Sequence, residues 1–414
     1  MSHRNFLKLA VALIMLSLTP HGTGAVECPP DVAVLDLEFA GNGPRPHDFD
    51  VDGDTMIFFD SRPEQGQRIR FFLDVDGTWQ EDVGSEIVLS GDDVTWIPHR
   101  KVSISGNTAV VGLELGKVIV LERIDGTWDI VQTLTAPEPE YTFYGLWVDI
   151  DGDVIVVSDF NAKAVYVHRR EGKRFELEAT LSPPDPDDYF ARGVAVGGDA
   201  ILVGGAGGSV DDVFCFRHED DRWIMHQVID PETPSMNYDL HGDTAIIGDG
   251  IYVLESGEWN HAERLNVPDG YAIDSYQSRR IGADFAVLGA SLAGSPHDAS
   301  SHALVYERGD SGWALVSEVL CQVECSYGFG QCISYTIACV FDRQVFMGLK
   351  EDGGFWATGV LVHTYPDDCG CESDIDGDGN VGVDDLLVVI AGWGNPYGID
   401  DLLSVIGEWG TCEP

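Results

Sequence analysis

Positive charge is what this sequence has least of: 24 Lys+Arg stand against 70 Asp+Glu in 414 residues, a formal charge of -46. Nucleic acid and anionic membrane surfaces both need a cationic footprint, so neither is an expected partner. Long apolar runs are also lacking. The run from Leu9 to Leu18 covers ten residues, about half of the ~20 that a bilayer core requires, and no later stretch is long enough to span. Catalytic signatures are missing as well: there is no His-Glu-x-x-His, no Gly-x-Ser-x-Gly, no phosphate-binding Gly-x-x-x-x-Gly-Lys and no helix-opening Gly-x-Gly-x-x-Gly. Among 70 carboxylates some pair reaches glycosidase separation by chance, so acidity is no sign of hydrolysis. Disorder is excluded, because 44% hydrophobic and 23% charged residues are globular values. Glycine is abundant, 48 residues or about 12% against a usual ~7%, which points to turn-rich β structure.

Arg4 and Lys8 precede the short apolar run, and Thr23-Gly24-Ala25 offers small residues for signal peptidase. Residues 1–25 therefore read as a secretory signal, and the product as secreted, extracellular or at the cell surface. Cleavage removes both cations and leaves -48. Export makes the nine cysteines informative. Cys28, Cys321, Cys325, Cys332, Cys339, Cys369, Cys371 and Cys412 are disulfide candidates with open connectivity. Zinc is the rival reading of the late cluster, disfavoured because no His stands at ligand spacing. Cys215, alone in the apolar run Val213-Phe214-Cys215-Phe216, reads as a buried free thiol.

The middle of the chain is repetitive. A turn leading into a β run recurs at Gly53-Asp54, Gly106-Asn107, Gly152-Asp153, Gly198-Asp199 and Gly242-Asp243, then more loosely at Ala283-Asp284 and Asp342-Arg343. Six intervals over 289 residues give a mean period of about 48, room for four short strands. A Gly-x-aromatic landmark follows the first six copies, at Trp79, Trp128, Phe175, Trp223, Trp259 and Trp313. Each unit reads strand, Gly-Asp turn, strand, loop, strand, aromatic turn, strand. Such a sheet cannot cover both faces alone, so the expected fold is all-β: a seven-bladed β-propeller of four-stranded antiparallel blades over residues 26–365. The seventh unit lacks a fourth strand. Residues 31–39 are expected to supply it and close the last blade.

The unit from Tyr144-Gly145 through Asp149-Ile-Asp151-Gly-Asp153 to Phe175 resembles the FG-GAP-type repeats of secreted bacterial β-propellers, related in fold to the integrin α-subunit head. Calcium-binding blades of that family carry Asp-x-Asp-x-Asp-Gly. Asp50-Val-Asp52-Gly53-Asp54 and its copy at Asp149 have glycine at the fourth position instead, and read as hairpin turns rather than metal sites.

After a linker at residues 366–373 comes a module at residues 374–414. Numbering Asp374 as one, Asp374, Asp376, Asp378 and Asp385 fall at positions one, three, five and twelve, Gly379 at six, and Asn380 offers its carbonyl at seven. That EF-hand-like spacing of hard oxygens predicts one bound calcium, with helical segments following at Leu386 and Leu402. Asp at position twelve and the missing preceding helix resemble a type I dockerin. The resemblance implies a cohesin-like or other surface partner, though the second copy, around Gly398, has lost its acidic loop.

Two functions follow from this reading. The first is a non-enzymatic propeller that binds a protein or glycan ligand through its face loops and is retained by its tail. The second is an O-glycosyl hydrolase in polysaccharide catabolism, implied only because dockerins accompany such enzymes; it needs carboxylates converging with aromatic side chains, to be sought in the face loops at residues 141–144, 185–190 and 291–301.

Overall fold

The computed structural model describes residues 31–36, 45–62, 66–89, 102–113, 116–137, 143–205, 212–233, 238–273, 279–292, 301–309, 311–321, 338–341, 344–350, 357–364, 380–381, 389 and 410–411. The chain divides into two compact units, Ala33–Val362 and a second made of Met1–Val32 with His363–Pro414.

The first unit is built from antiparallel sheets whose strands follow one another in sequence. After β1 (Asp31–Asp36), blade 1 contains β2 (Arg45–Asp52), β3 (Thr55–Arg62), β4 (Gly66–Val75), β5 (Thr78–Glu81) and β6 (Ile87–Leu89). Blade 2 is β7 (Val102–Ser105), β8 (Thr108–Leu113), β9 (Lys117–Ile124) and β10 (Thr127–Thr135). Blade 3 is β11 (Val148–Asp151), β12 (Val154–Asp159), β13 (Ala164–Glu171) and β14 (Arg174–Leu181). Blade 4 is β15 (Val194–Gly197), β16 (Ala200–Gly204), β17 (Val213–Glu219) and β18 (Arg222–Ile229). Blade 5 is β19 (Tyr238–His241), β20 (Thr244–Ile247), β21 (Gly250–Glu255) and β22 (Glu258–Arg264). Blade 6 is β23 (Tyr271–Ala272), β24 (Arg279–Ile281), β25 (Phe285–Leu292), β26 (Ser301–Gly309) and β27 (Gly312–Cys321). Blades 1 and 6 have five strands because β5 and β6 share β4 as partner, and β23 and β24 share β25. Later come β28 (Ala338–Phe341), β29 (Gln344–Lys350), β30 (Ala357–Thr364), β31 (Asn380–Val381) and β32 (Gly410–Thr411).

Six blades of consecutive strands are thus formed, which corrects the expectation of seven. The Gly-Asp landmark counts inner hairpins, and a blade also needs the aromatic turn and the strand after it. The seventh unit has neither of its own, and its four-stranded sheet is a composite with order β1-β30-β29-β28, in which β1 takes the fourth-strand place expected of residues 31–39. A helical carboxy-terminal module is corrected too. Among the described residues after Thr364 the delineated elements are β31 and β32, paired Asn380↔Thr411 and Val381↔Gly410, and Val389 alone is helical. Backbone pairing between the loop and the chain end is what the local helical pattern does not reveal.

The inner hairpins form where glycine allows them. Gly53, Gly106, Gly152, Gly198 and Gly242 all have φ between 53° and 59°, a left-handed conformation that costs glycine nothing. The core lies between blades rather than inside them. One buried cluster joins Ile57, Phe59 and Phe71 of blade 1 to Val111, Leu121 and Trp128 of blade 2, and the same arrangement recurs between each later neighbouring pair. Phe346, Val360 and Val362 of the composite sheet pack on Phe58, Phe72 and Trp79 of blade 1.

The aromatic landmarks also bind neighbouring blades through their backbones. Gln132 of blade 2 donates to Phe175 O at 2.7 Å and accepts from Phe175 N at 2.8 Å. Gln227 of blade 4 does the same to Trp259, at 2.9 and 2.8 Å. Ser85 Oγ accepts from Trp128 N, and Glu263 Oε1 from Trp313 N. An edge strand presents unpaired N–H and C=O groups, and here the preceding blade satisfies them.

Candidate functional site

The first strands of the blades line a central cavity of about 520 Å³. Its wall contains Asp50 and Asp52 from β2, Ser103 and Ser105 from β7, Asp149 and Asp151 from β11, Asp239 and His241 from β19, and Arg280 from β24. A first strand is also a sheet edge, with N–H groups pointing at the blade behind it. The polar residues serve those groups. Asp50 Oδ2 accepts from Ile104 N at 3.0 Å, Asp149 Oδ2 from Val196 N at 2.7 Å, and Asp239 Oδ2 from Ile281 N at 2.9 Å. Two residues further on, Ser105 Oγ accepts from Gly152 N at 3.0 Å and Asp151 Oδ2 from Gly198 N at 2.6 Å. Ser103 Oγ donates to Asp149 Oδ1 at 2.7 Å. Between blades 4 and 5 the clasp is replaced by packing: Ala195 stands in the carboxylate position, and a Cβ on Gly197 would lie 2.1 Å from Leu240 Cδ1.

Gathering carboxylates here has an electrostatic cost. Burial pushes the Asp149 carboxyl up to about 7, and repulsion from Asp239 and Asp50 adds to it, against the Val196 N–H and Ser103 hydroxyl that favour the ion. Burial likewise raises Asp239, opposed first by Arg280. A raised carboxyl pKa can mark an acid catalyst, but these oxygens are already engaged by backbone donors, and among the described residues no group of His, Cys, Asp or Glu is arranged to hold a metal.

The face loops named from sequence divide in two. Tyr144 and Phe190 are buried, whereas their neighbours Phe143 and Tyr189 are exposed. Tyr144 Oη lies 3.2 Å from His168 Nε2, and burial lowers the His168 pKa to about 4, so that ring is neutral at ordinary pH. Residues 141, 142 and 293–300 lie outside the described residues.

Of the calcium ligands, Asp374, Asp376, Asp378 and Asp385 lie outside the described residues, and Asn380 is described through its pairing in β31. Cys28, Cys325, Cys332, Cys369, Cys371 and Cys412 also lie outside, and Cys321 and Cys339 are described by their strands alone. Among the described residues there is no disulfide; Cys215 is a buried free thiol, pushed up to about 12 by burial. The clasps of Asp50, Ser103, Asp149 and Asp239 are what sequence reasoning missed. Their signal is a polar-x-polar-Gly pattern before four of the hairpins, those at Gly53, Gly106, Gly152 and Gly242, which reads along the chain as a turn and nothing more.

No family model matches the chain, and no curated protein matches it. Among solved structures, the WD40 domain of Toxoplasma gondii coronin is similar at 10% identity and a TM-score of 0.45, over 83% of this chain and 88% of that one. Saccharomyces cerevisiae Sqt1 is similar at 10% identity and 0.46, over 82% of this chain and all (100%) of that one. BamB from Moraxella catarrhalis is similar at 14% identity and 0.42, over 82% and 100%. The assignment of this chain as a β-propeller rests on its own sheet order, with inner strands edge-on to a shared channel.

Proposed function

We propose that this chain is a secreted, non-enzymatic β-propeller that binds a protein or glycan ligand through its connecting loops and holds one calcium ion in a dockerin-like carboxy-terminal module. The observation that carries the binding reading is the engagement of the channel carboxylates. Asp50, Asp149 and Asp239 each accept a backbone N–H of the next blade, whereas a glycoside hydrolase needs one carboxyl free to give a proton and another free to attack or activate water.

Secretion is supported by the cation-then-apolar pattern and small residues of positions 1–25, and disulfides among the late cysteines fit that compartment. An FG-GAP-type repeat is supported by the aromatic-then-left-handed pair in two successive blades: Tyr144 with Gly145 at φ 85°, and Phe190 with Ala191 at φ 65°. Calcium is supported by the oxygen spacing from Asp374 to Asp385. A cohesin-like or cell-surface partner would take up that module.

Calorimetric titration with calcium is expected to give about one site, abolished by Asp374→Ala with Asp376→Ala; unchanged stoichiometry in that variant refutes the module. A glycan and protein array followed by assay of each hit for turnover tests the rest. Binding without turnover is expected, and cleavage of a bound polysaccharide overturns the non-enzymatic reading.

A further inference from the structure

Resting on that loop-face reading, we propose that the connections flanking blade 3 form a docking surface for a basic, lysine- or arginine-bearing segment of a partner protein. Phe143, 39% exposed, and Tyr189, 48% exposed, are the exposed aromatic side chains among the described residues. They occupy the same position in successive repeats, each followed by a buried aromatic, Tyr144 or Phe190. Both lie at the same edge of the blade. Strand pairs Val148↔Val157, Asp159↔Ala164 and Val165↔Leu181 bring the connections before β11, between β12 and β13, and after β14 to one end of the sheet.

The two rings are tied together by the β12–β13 connection. Asp159 Oδ1 accepts from Phe143 N at 3.3 Å, Asn161 N at 3.1 Å and Ala162 N at 3.2 Å. Lys163 Nζ donates to Pro186 O at 2.6 Å and stands 5.9 Å from the Tyr189 ring centroid. Close packing also fixes the connections: a Cβ on Gly112 would lie 1.9 Å from Gly145 O, and one on Gly205 would lie 2.2 Å from Tyr189 O. The rings are therefore presented with little ordering left to do on binding.

Charge selects the occupant. The molecule carries -46, and exposed Asp187 with half-buried Asp188 adjoins Tyr189. The local cations are already taken up, Lys163 as above and Arg192 with its guanidinium 4.1 Å over the Phe160 ring. An anionic ligand would meet a repelling field, while a lysine or arginine side chain gains from the exposed parts of the two rings, Tyr189 on the side away from Lys163, and from the carboxylates.

The test titrates fluorescein-labelled octalysine onto the full chain at low and high salt, with octaglutamate and neutral cellohexaose as comparators. Phe143→Ala with Tyr189→Ala is expected to weaken octalysine binding about four- to twenty-five-fold, each ring contributing the roughly two- to five-fold of an exposed cation–π contact. Tyr189→Phe keeps the ring, so it keeps binding and controls for folding. Asp187→Asn with Asp188→Asn is expected to weaken binding several-fold more than Asp220→Asn with Asp221→Asn, which removes equal charge from the β17–β18 turn at the opposite edge. Equal effects of the two pairs would leave only bulk attraction and overturn the proposal. Ring substitutions that abolish cellohexaose binding but spare octalysine would overturn the partner class while the loop-face reading stands. Ring substitutions without effect on either probe would overturn the surface itself.

Discussion

Replacing Asp149 by asparagine separates the clasp from its charge. In the Asp149→Asn variant the side-chain carbonyl oxygen can still accept from Val196 N, and the amide can donate to Ser103 Oγ, much as the protonated acid would. Only the ionised form is lost. Because the Asp149 carboxyl is raised from 3.8 to about 7 in the fold, the folded protein binds this proton more readily than the unfolded chain. The contribution to stability is therefore fully present below about pH 3.8, declines as pH rises, and levels off above about 7. At about 1.4 kcal/mol per pH unit, wild type loses about 3 kcal/mol at this site between pH 5 and pH 8, as a ceiling, since solvent entering the channel screens part of it. The Asp149→Asn variant has no such loss, and any fixed cost of the amide cancels between the two pH values. Urea unfolding of both proteins at pH 5 and pH 8, followed by tryptophan fluorescence, reads the difference. The variant should gain on wild type as pH rises; a difference between the two pH values below about 1 kcal/mol, or of opposite sign, would refute the buried-carboxylate account.

Other perturbations test the seams between blades. Gln227→Ala removes both hydrogen bonds to the Trp259 backbone and is expected to cost about 1–3 kcal/mol in urea unfolding; a loss under about 0.5 kcal/mol, the level of an ordinary surface change, would show that the clasp is incidental. Gly112→Ala drives a methyl into Gly145 O and is expected to cost about 1–3 kcal/mol by overpacking, seen as a lowered melting temperature; an unchanged one would mean the connection moves aside freely. Cys215, buried and with a raised pKa, is expected to stay unlabelled by a thiol alkylating agent at pH 8 until denaturant is added; peptide mapping that finds it labelled in the native protein would contradict its burial.

The strands and turns of the six blades are legible in the sequence because they are local. A glycine two residues from a β run makes a hairpin whatever surrounds it, and Trp128 or Phe175 at a fixed offset marks the next turn. The blade count is not legible in the same way. Asp342-Arg343 carries the inner-hairpin landmark, yet the chain beyond it lacks the fourth strand, so a repeat tally overstates the number of blades. The channel is hidden for a related reason: Asp50 meets Ile104 N across 54 residues, and the same letters, Asp-x-Asp-Gly, describe a turn when read along the chain. Phe143, Tyr144, Tyr189 and Phe190 do fall in connections between strands, but which aromatic of each pair is buried depends on packing against the neighbouring blade.

What the sequence by itself determined is the alternation of strand and turn, the sign of the charge and the repeated placement of aromatic residues, since each depends on a few adjacent residues. What only the tertiary structure decided is what the polar groups do. Folding six blades edge-on to one channel brings carboxylates together that repel, and each persists there because it caps a backbone N–H of the next blade.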